Sequence, residues 1–291
     1  MKKIITFILI TSMISCNKSN DKADGYGNFE ATEVTISSEA NGKIDYLNLE
    51  EGDILKPNIQ VGLVDTTQLY FNKQQLIASK NTVFSKSKNV LSQINILKEQ
   101  LKTTLIEQKR IQNMFAENAA TKRQLDEIVG KVSVLNEQIK SVETQNAPII
   151  NEIKSIDVQI EKINDQIEKS KIINPIKGTV LSKYAEPNEV TAFGKPLYKI
   201  ADISEMTLRV YISETQLSQI KIGQQVTVKI DVEKDMKSYP GTISWIASSA
   251  EFTPKIIQTK EERANLVYAV KVEVKNDGSL KIGMPAEMWI K

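Results

Sequence analysis

The chain has 291 residues, with 38 Lys and Arg against 36 Asp and Glu, a net charge of +2. That balance excludes any global reason to expect nucleic acid as a partner, and the length allows one large domain or roughly two to three small ones. Histidine is absent, which removes the commonest general base and metal ligand, and the aromatic content of 6% is low for a compact enzyme.

Met1-Lys2-Lys3 is a short basic start, and Ile4 to Ile14 is an apolar run of signal-peptide length, too short to span a bilayer. Met13-Ile14-Ser15-Cys16 then places a small residue directly before the chain's one cysteine. This resembles a bacterial lipobox, with Met13 where the usual motif has Leu. The resemblance implies a signal peptide over 1–15, diacylation of Cys16 as the mature N-terminus, and membrane tethering by two acyl chains. The other reading is a plain secretory signal with an incidental Cys. The polar stretch from Asn17 to Gly27 predicts a flexible segment, so 16–30 is expected to be a lipidated tether.

Two later segments resemble each other. Gly42 to Val64 (GKIDYLNLEEGDILKPNIQVGLV) aligns without gaps on Gly178 to Ile200 (GTVLSKYAEPNEVTAFGKPLYKI), with Glu50 on Glu186 and Gly52-Asp53-Ile54 on Asn188-Glu189-Val190. Each shows short β-type runs broken by turn residues. Neither half has enough strands to close a core, so the halves over 31–65 and 172–203 are expected to pack on each other as one β-domain.

Between them, 66–171 predicts a helical hairpin. Leu125, Val132, Ile139, Asn146, Ile153, Ile160 and Ile167 recur every seven residues, and Ile128, Leu135, Val142, Ile149, Ile156 and Ile163 form a second series offset by three. This is a coiled-coil seam. Upstream, Leu69, Leu76, Val83, Val90, Leu97, Thr104 and Ile111 form a third series, supported by Ile77, Phe84, Leu91, Ile94, Leu101 and Leu105. Two antiparallel helices of ~50 residues would reach roughly 75 Å. Thr121 is a candidate N-cap after the turn Ala116 to Thr121. Asn146 places a polar group on the seam, and Pro148 predicts a bend in a helix that stays continuous, because the seam keeps its phase.

From Ser204 the alternation changes to period two, as in Met206-Leu208-Val210-Ile212 and Val270-Val272-Val274, separated by turns such as Tyr239-Pro240-Gly241. The 204–291 stretch therefore predicts a small antiparallel β-barrel, with a helical turn between Ser213 and Ile220. The fold class as a whole is multidomain α+β.

No catalytic set, phosphate loop or metal-ligand spacing is present, so neither enzyme activity nor a cofactor nor a metal is expected. Glu50, Glu51 and Asp53 read as a solvated turn. Lys56 and Lys43 raise the thought of a lipoyl or biotinyl carrier, but Ile54-Leu55-Lys56-Pro57 lacks the residues that frame a modified lysine. At the hairpin apex Arg110, Met114 and Thr121 have spacings of four and seven, flanked by Phe115 and Leu125. Met114 and Leu125 read as the last seam contacts, Thr121 as a cap and Arg110 as a solvated charge; an exposed tip of this mixture equally suits docking on another helical assembly.

The order of these parts, with the stretches Glu33 to Val64, Asn174 to Ile203 and Leu280 to Trp289 (LKIGMPAEMW), resembles the HlyD-type membrane fusion proteins, the periplasmic adaptors of efflux and secretion systems. Ala250 to Val270 resembles the subgroup that serves ABC-type exporters. The resemblance implies a lipoyl-like β-domain without lipoate, a periplasmic location and self-association as a hexameric ring. It also implies an inner-membrane transporter partner, an ABC permease in this subgroup. Further, it implies that Arg110, Met114 and Thr121, with Phe115 and Leu125, meet an outer-membrane channel of the TolC type. Met114 and Thr121 stand where the family has Leu and Ser. A structural coiled-coil envelope lipoprotein without transport role is the alternative, and the split β-repeat argues against it.

Overall fold

The computed structural model describes residues 22–233, 235–252 and 266–290. In chain order they form β1 (Gly25–Glu30), β2 (Glu33–Ser37), β3 (Gly42–Leu47), β4 (Ile54–Leu55) and β5 (Ile59–Val64), then the helices α1 (Thr67–Ala116) and α2 (Lys122–Lys169). The chain continues through β6 (Lys171–Asn174), β7 (Gly178–Lys183), β8 (Val190–Thr191), β9 (Pro196–Ala201) and β10 (Glu205–Ser213). It ends with the single turn α3 (Glu214–Leu217), β11 (Gln225–Val232), β12 (Asp235–Ile246), β13 (Glu251–Phe252), β14 (Leu266–Lys275) and β15 (Pro285–Trp289).

The sequence repeat is a structural repeat. The two four-stranded sheets run β2-β9-β7-β4 and β6-β5-β3-β8, so each carries strands from both halves. In the register that sets Gly42 on Gly178, equivalent side chains share one core: Ile44 with Val180, Val61 with Leu197, Val64 with Ile200, all buried. Backbone conformation repeats too. Gly52 (φ 97°) matches Asn188 (φ 73°), and Asn58 (φ 61°) matches Gly194 (φ 82°), so both hairpin turns need the left-handed conformation that Gly and Asn supply. The halves are further pinned by Lys183, whose ammonium meets Glu186 at 2.8 Å and Glu50 at 3.0 Å, two carboxylates at equivalent repeat positions. Asn174 is fully buried and donates to the carbonyls of Lys56 (2.8 Å) and Ile176 while accepting from the Tyr198 hydroxyl (3.2 Å).

The hairpin follows the α2 pattern residue for residue. Every member of the two predicted α2 series, Leu125 to Ile167, is buried or half-buried, while most other positions of the helix are exposed. Pro148 lies inside a helix that continues without a break. On α1 the Leu69-to-Ile111 series also turns inward. The supporting set is corrected: Ile94 and Leu101 lie on the seam, but Phe84, Leu91 and Leu105 are exposed. Four residues on from each of the first six members of the Leu69 series stand Lys73, Lys80, Ser87, Ile94, Leu101 and Gln108, and these complete the inner face. Seam geometry fixes those positions whatever their polarity. The polar ones are accommodated by pairing: Lys80 reaches Asp157 at 2.6 Å, and Ser87 donates to Asn146 at 2.8 Å.

The C-terminal barrel is closed by six strands in the order β10-β1-β15-β11-β12-β14, with β14 returning to β10 and β13 appended to β14. Phe29, Leu208, Val228, Ile243, Val272 and Met288 fill its interior. The expected tether is corrected here: residues 25–30 are a full barrel strand, paired with β10 on one side and β15 on the other. Its unpaired alternative would leave two barrel edges open, which closure removes.

Candidate docking tip and anchor

α1 ends in a complete C-terminal motif. Asn118 takes the left-handed conformation (φ 60°), its N–H donates to the Phe115 carbonyl (3.1 Å), and the Ala119 N–H reaches back to the Met114 carbonyl (2.7 Å). α2 then starts with a capping box. Thr121 Oγ1 accepts from the Gln124 N–H (3.3 Å), while the Gln124 side chain accepts from both the Thr121 N–H (2.8 Å) and its hydroxyl (2.9 Å). The apex is therefore a short turn with both helix ends satisfied, a defined surface rather than a frayed one.

The five candidate tip residues divide into three roles. Met114 and Phe115 occupy the last turn of α1 with their apolar surfaces exposed, and Arg110 lies one turn below them, held to Glu107 at 2.6 Å. Thr121 is exposed but its hydroxyl is committed to the cap. Leu125 is half-buried on the seam. Sequence reasoning passed over Lys122 and Arg123, the most exposed cations of the tip, which reach only Asp126 (3.1 Å) and Glu127 (3.8 Å) of their own helix. Cations in the first turn of a helix oppose its dipole, and that misplacement was the available signal. The tip so built offers the apolar side chains of Met114 and Phe115 together with three exposed cations, Arg110, Lys122 and Arg123, each paired to a carboxylate of its own helix.

A second exposed surface runs along the arm. Tyr70, Phe84, Leu91 and Leu105 of α1 fall on one seven-residue phase and are exposed along the flank of the seam, where Lys98 on the same phase reaches Glu143 of α2 at 3.1 Å. Cys16 and the signal-peptide segment lie outside the described residues. Among the described residues no helix is long and apolar enough to cross a membrane.

The YknX-like beta-barrel domain family matches residues 206–290. A UPF0194 membrane protein of Yersinia enterocolitica serotype O:8 is 23% identical over 322 residues, covering 98% of this chain and 97% of that one. A UPF0194 membrane protein of Acidithiobacillus ferridurans is 24% identical over 290 residues, covering 91% and 86%. Among solved structures, MacA from Actinobacillus actinomycetemcomitans aligns with a TM-score of 0.53 at 21% identity, over 91% of this chain and 76% of that one. The membrane fusion protein Spr0693 from Streptococcus pneumoniae R6 aligns with a TM-score of 0.50 at 16% identity, over 91% and 97%. The chain thus has the fold of the membrane fusion proteins, with a YknX-like β-barrel as its C-terminal domain.

Proposed function

We propose that this protein is the adaptor subunit of a tripartite export system, bridging an ABC-type inner-membrane transporter to an outer-membrane channel of the TolC type. The observation that carries the reading is the arm: a 50-residue helix and a 48-residue helix, locked along one seam, rise directly from a split domain whose two halves flank their base. A spacer needs that stiffness, and a tether that merely linked envelope layers would need no split domain. Acylation of Cys16 would hold the chain to the membrane, in the periplasm. The exposed apolar phase on α1 supports side-by-side association with other copies in a ring. The protein's own residues make and break no bond; the transporter supplies the energy.

Crosslinking in intact cells, followed by affinity purification, tests the proposal. An ABC permease recovered with a TolC-type channel supports it; recovery of cell-wall or structural outer-membrane proteins alone sinks it. Arg110→Asp reverses the charge beside Met114 and is expected to abolish channel capture while permease capture persists. Cys16→Ala is expected to release the protein from the membrane fraction.

A further inference from the structure

Chain order distinguishes the two ends of the barrel. β1 leaves for the split domain at Glu30, and β10 returns from it at Glu205; Glu30 pairs with Thr207, so both connections share one end. The opposite end holds the start of β1. There Asp24 is fixed by three bonds: its N–H to the Met288 carbonyl (3.0 Å), its carboxylate from the Ile290 N–H (2.7 Å), and its carbonyl from the Gln216 side chain (2.8 Å). Ser213 pairs with Val267 at the same end. Gln225, the first residue of β11, pairs with Thr242, so the rest of β12 carries Trp245 toward this end as well.

Among the described residues, this end exposes several apolar and aromatic side chains beside the charged Glu214 and Lys221. Ile222 is 66% exposed, Tyr26 56%, Leu266 55% and Trp245 40%. The chain's two tryptophans are Trp245 and Trp289, and neither is in the barrel interior. Each lies under a lysine: Lys229 Nζ is 4.0 Å from the Trp289 ring centre, and Lys271 Nζ is 5.4 Å from that of Trp245. An indole with a lysine over it matches the lipid–water boundary, where the ring sits at headgroup level and the ammonium extends to phosphate and water. Asp24 lies eight residues on from Cys16, a leash of at most about 28 Å when fully extended.

We infer that this end of the barrel rests on the headgroups of the bilayer that holds Cys16, with Trp245 and Trp289 at the interface. The inference rests on the proposed lipid anchor, and the leash length favours lipid over a distant protein as the covering surface.

The test uses the mature chain from Cys16 onward, which contains every described residue, with its one thiol coupled to maleimide lipid in phosphatidylethanolamine–phosphatidylglycerol vesicles. Bromine-labelled phosphatidylcholine in those vesicles quenches nearby indoles. Tryptophan fluorescence is expected to shift to shorter wavelength and to be quenched, in Trp245→Phe and Trp289→Phe alike, and the combined variant Ile222→Asp, Leu266→Asp is expected to lose the quenching. These side chains are exposed, so the variant keeps the barrel fold, which its circular dichroism checks. Vesicle-bound protein with unquenched, unshifted fluorescence overturns the inference. So does a shift seen only when the partner transporter is present in the vesicles, which would assign the surface to a protein contact. The intact mass of the protein from cells reads Cys16 acylation separately, so failure of the anchor and failure of the barrel contact are told apart.

Discussion

Asn174 holds the split domain together at a point that neither half can satisfy alone. Its amide donates to the Lys56 carbonyl, 118 residues away in sequence, and to Ile176, while its carbonyl accepts from the Tyr198 hydroxyl. Asn174 and Tyr198 are both fully buried, and burial pushes the Tyr198 hydroxyl well above the ordinary tyrosine pKa. Asn174→Ala therefore strands the buried Tyr198 hydroxyl and removes the donor to two partly buried carbonyls, those of Lys56 and Ile176. At about 1 kcal/mol for each of the three hydrogen bonds lost, the domain loses about 3 kcal/mol, or about a hundredfold in its opening equilibrium. Tyr198→Phe strands only the Asn174 carbonyl and should cost about 1 kcal/mol, roughly fivefold. Hydrogen exchange read by mass spectrometry on peptides covering β5 and β9 measures both, with barrel peptides as internal control. An Asn174→Ala effect below that of Tyr198→Phe, or one spread equally over the barrel, would refute the reasoning.

The hairpin and the split domain offer three further checks. Ser87→Ala removes the donor to Asn146 and should lower the helical melting transition by about 1 kcal/mol, whereas Asn146→Leu should raise it, both read by far-ultraviolet circular dichroism. Thr121→Val breaks the capping box at a cost of about 1 kcal/mol, expected as faster exchange in the first turn of α2 with no change at the arm's base. Lys183 is held above the ordinary lysine pKa of 10.5, first by its hydrogen bond to Glu186 and then by Glu50. A raised pKa contributes stability that is fully present below 10.5 and lost as pH rises through the folded-state value. The thermal-stability difference between the natural chain and Lys183→Met should therefore be large at neutral pH and shrink in strong alkali; a gap that persists there would show that packing, not charge, explains Lys183.

Legibility in the sequence tracked how much of each pattern was apolar. The α2 seam was readable because all but one of its positions is a branched aliphatic, and the one exception, Asn146, has a partner in Ser87. The α1 seam was half hidden because Lys73, Lys80, Ser87 and Gln108 occupy inward positions, so counting apolar residues selected Phe84 and Leu91, which lie exposed beside the seam. β1 was missed for a different reason. Gly25-Tyr26-Gly27-Asn28 has the composition of a tether, and its partners Tyr211 and Met288 lie far downstream, so only the long-range pairing makes it a strand. At the tip, Thr121 was legible from local capping rules, and Asn118 was equally available from C-terminal rules.

How the arm is mounted decides what it can transmit. β5 ends at Val64 and α1 begins at Thr67; α2 ends at Lys169 and β6 begins at Lys171, so no linker intervenes on either side. The Val64 N–H donates to the Ser170 carbonyl (2.8 Å), the Asp65 N–H to the Lys43 carbonyl (2.8 Å), and the Asp65 carboxylate accepts from the Thr67 N–H (2.8 Å). Ser170, almost completely buried, donates its hydroxyl to the Gln166 carbonyl (2.9 Å). A sideways load on the tip is thus passed to the β5–β6 pair, because bending at the base would break several of these bonds together. The bend should fall instead at the short connections between the split domain and the barrel, residues 31–32 and 202–204. Hydrogen exchange distinguishes the two: the amides of Val64 and Asp65 should be protected as long as those of the neighbouring sheet. Exchange there at loop-like rates would place the hinge at the arm's base and remove the stiffness on which the spacer role depends.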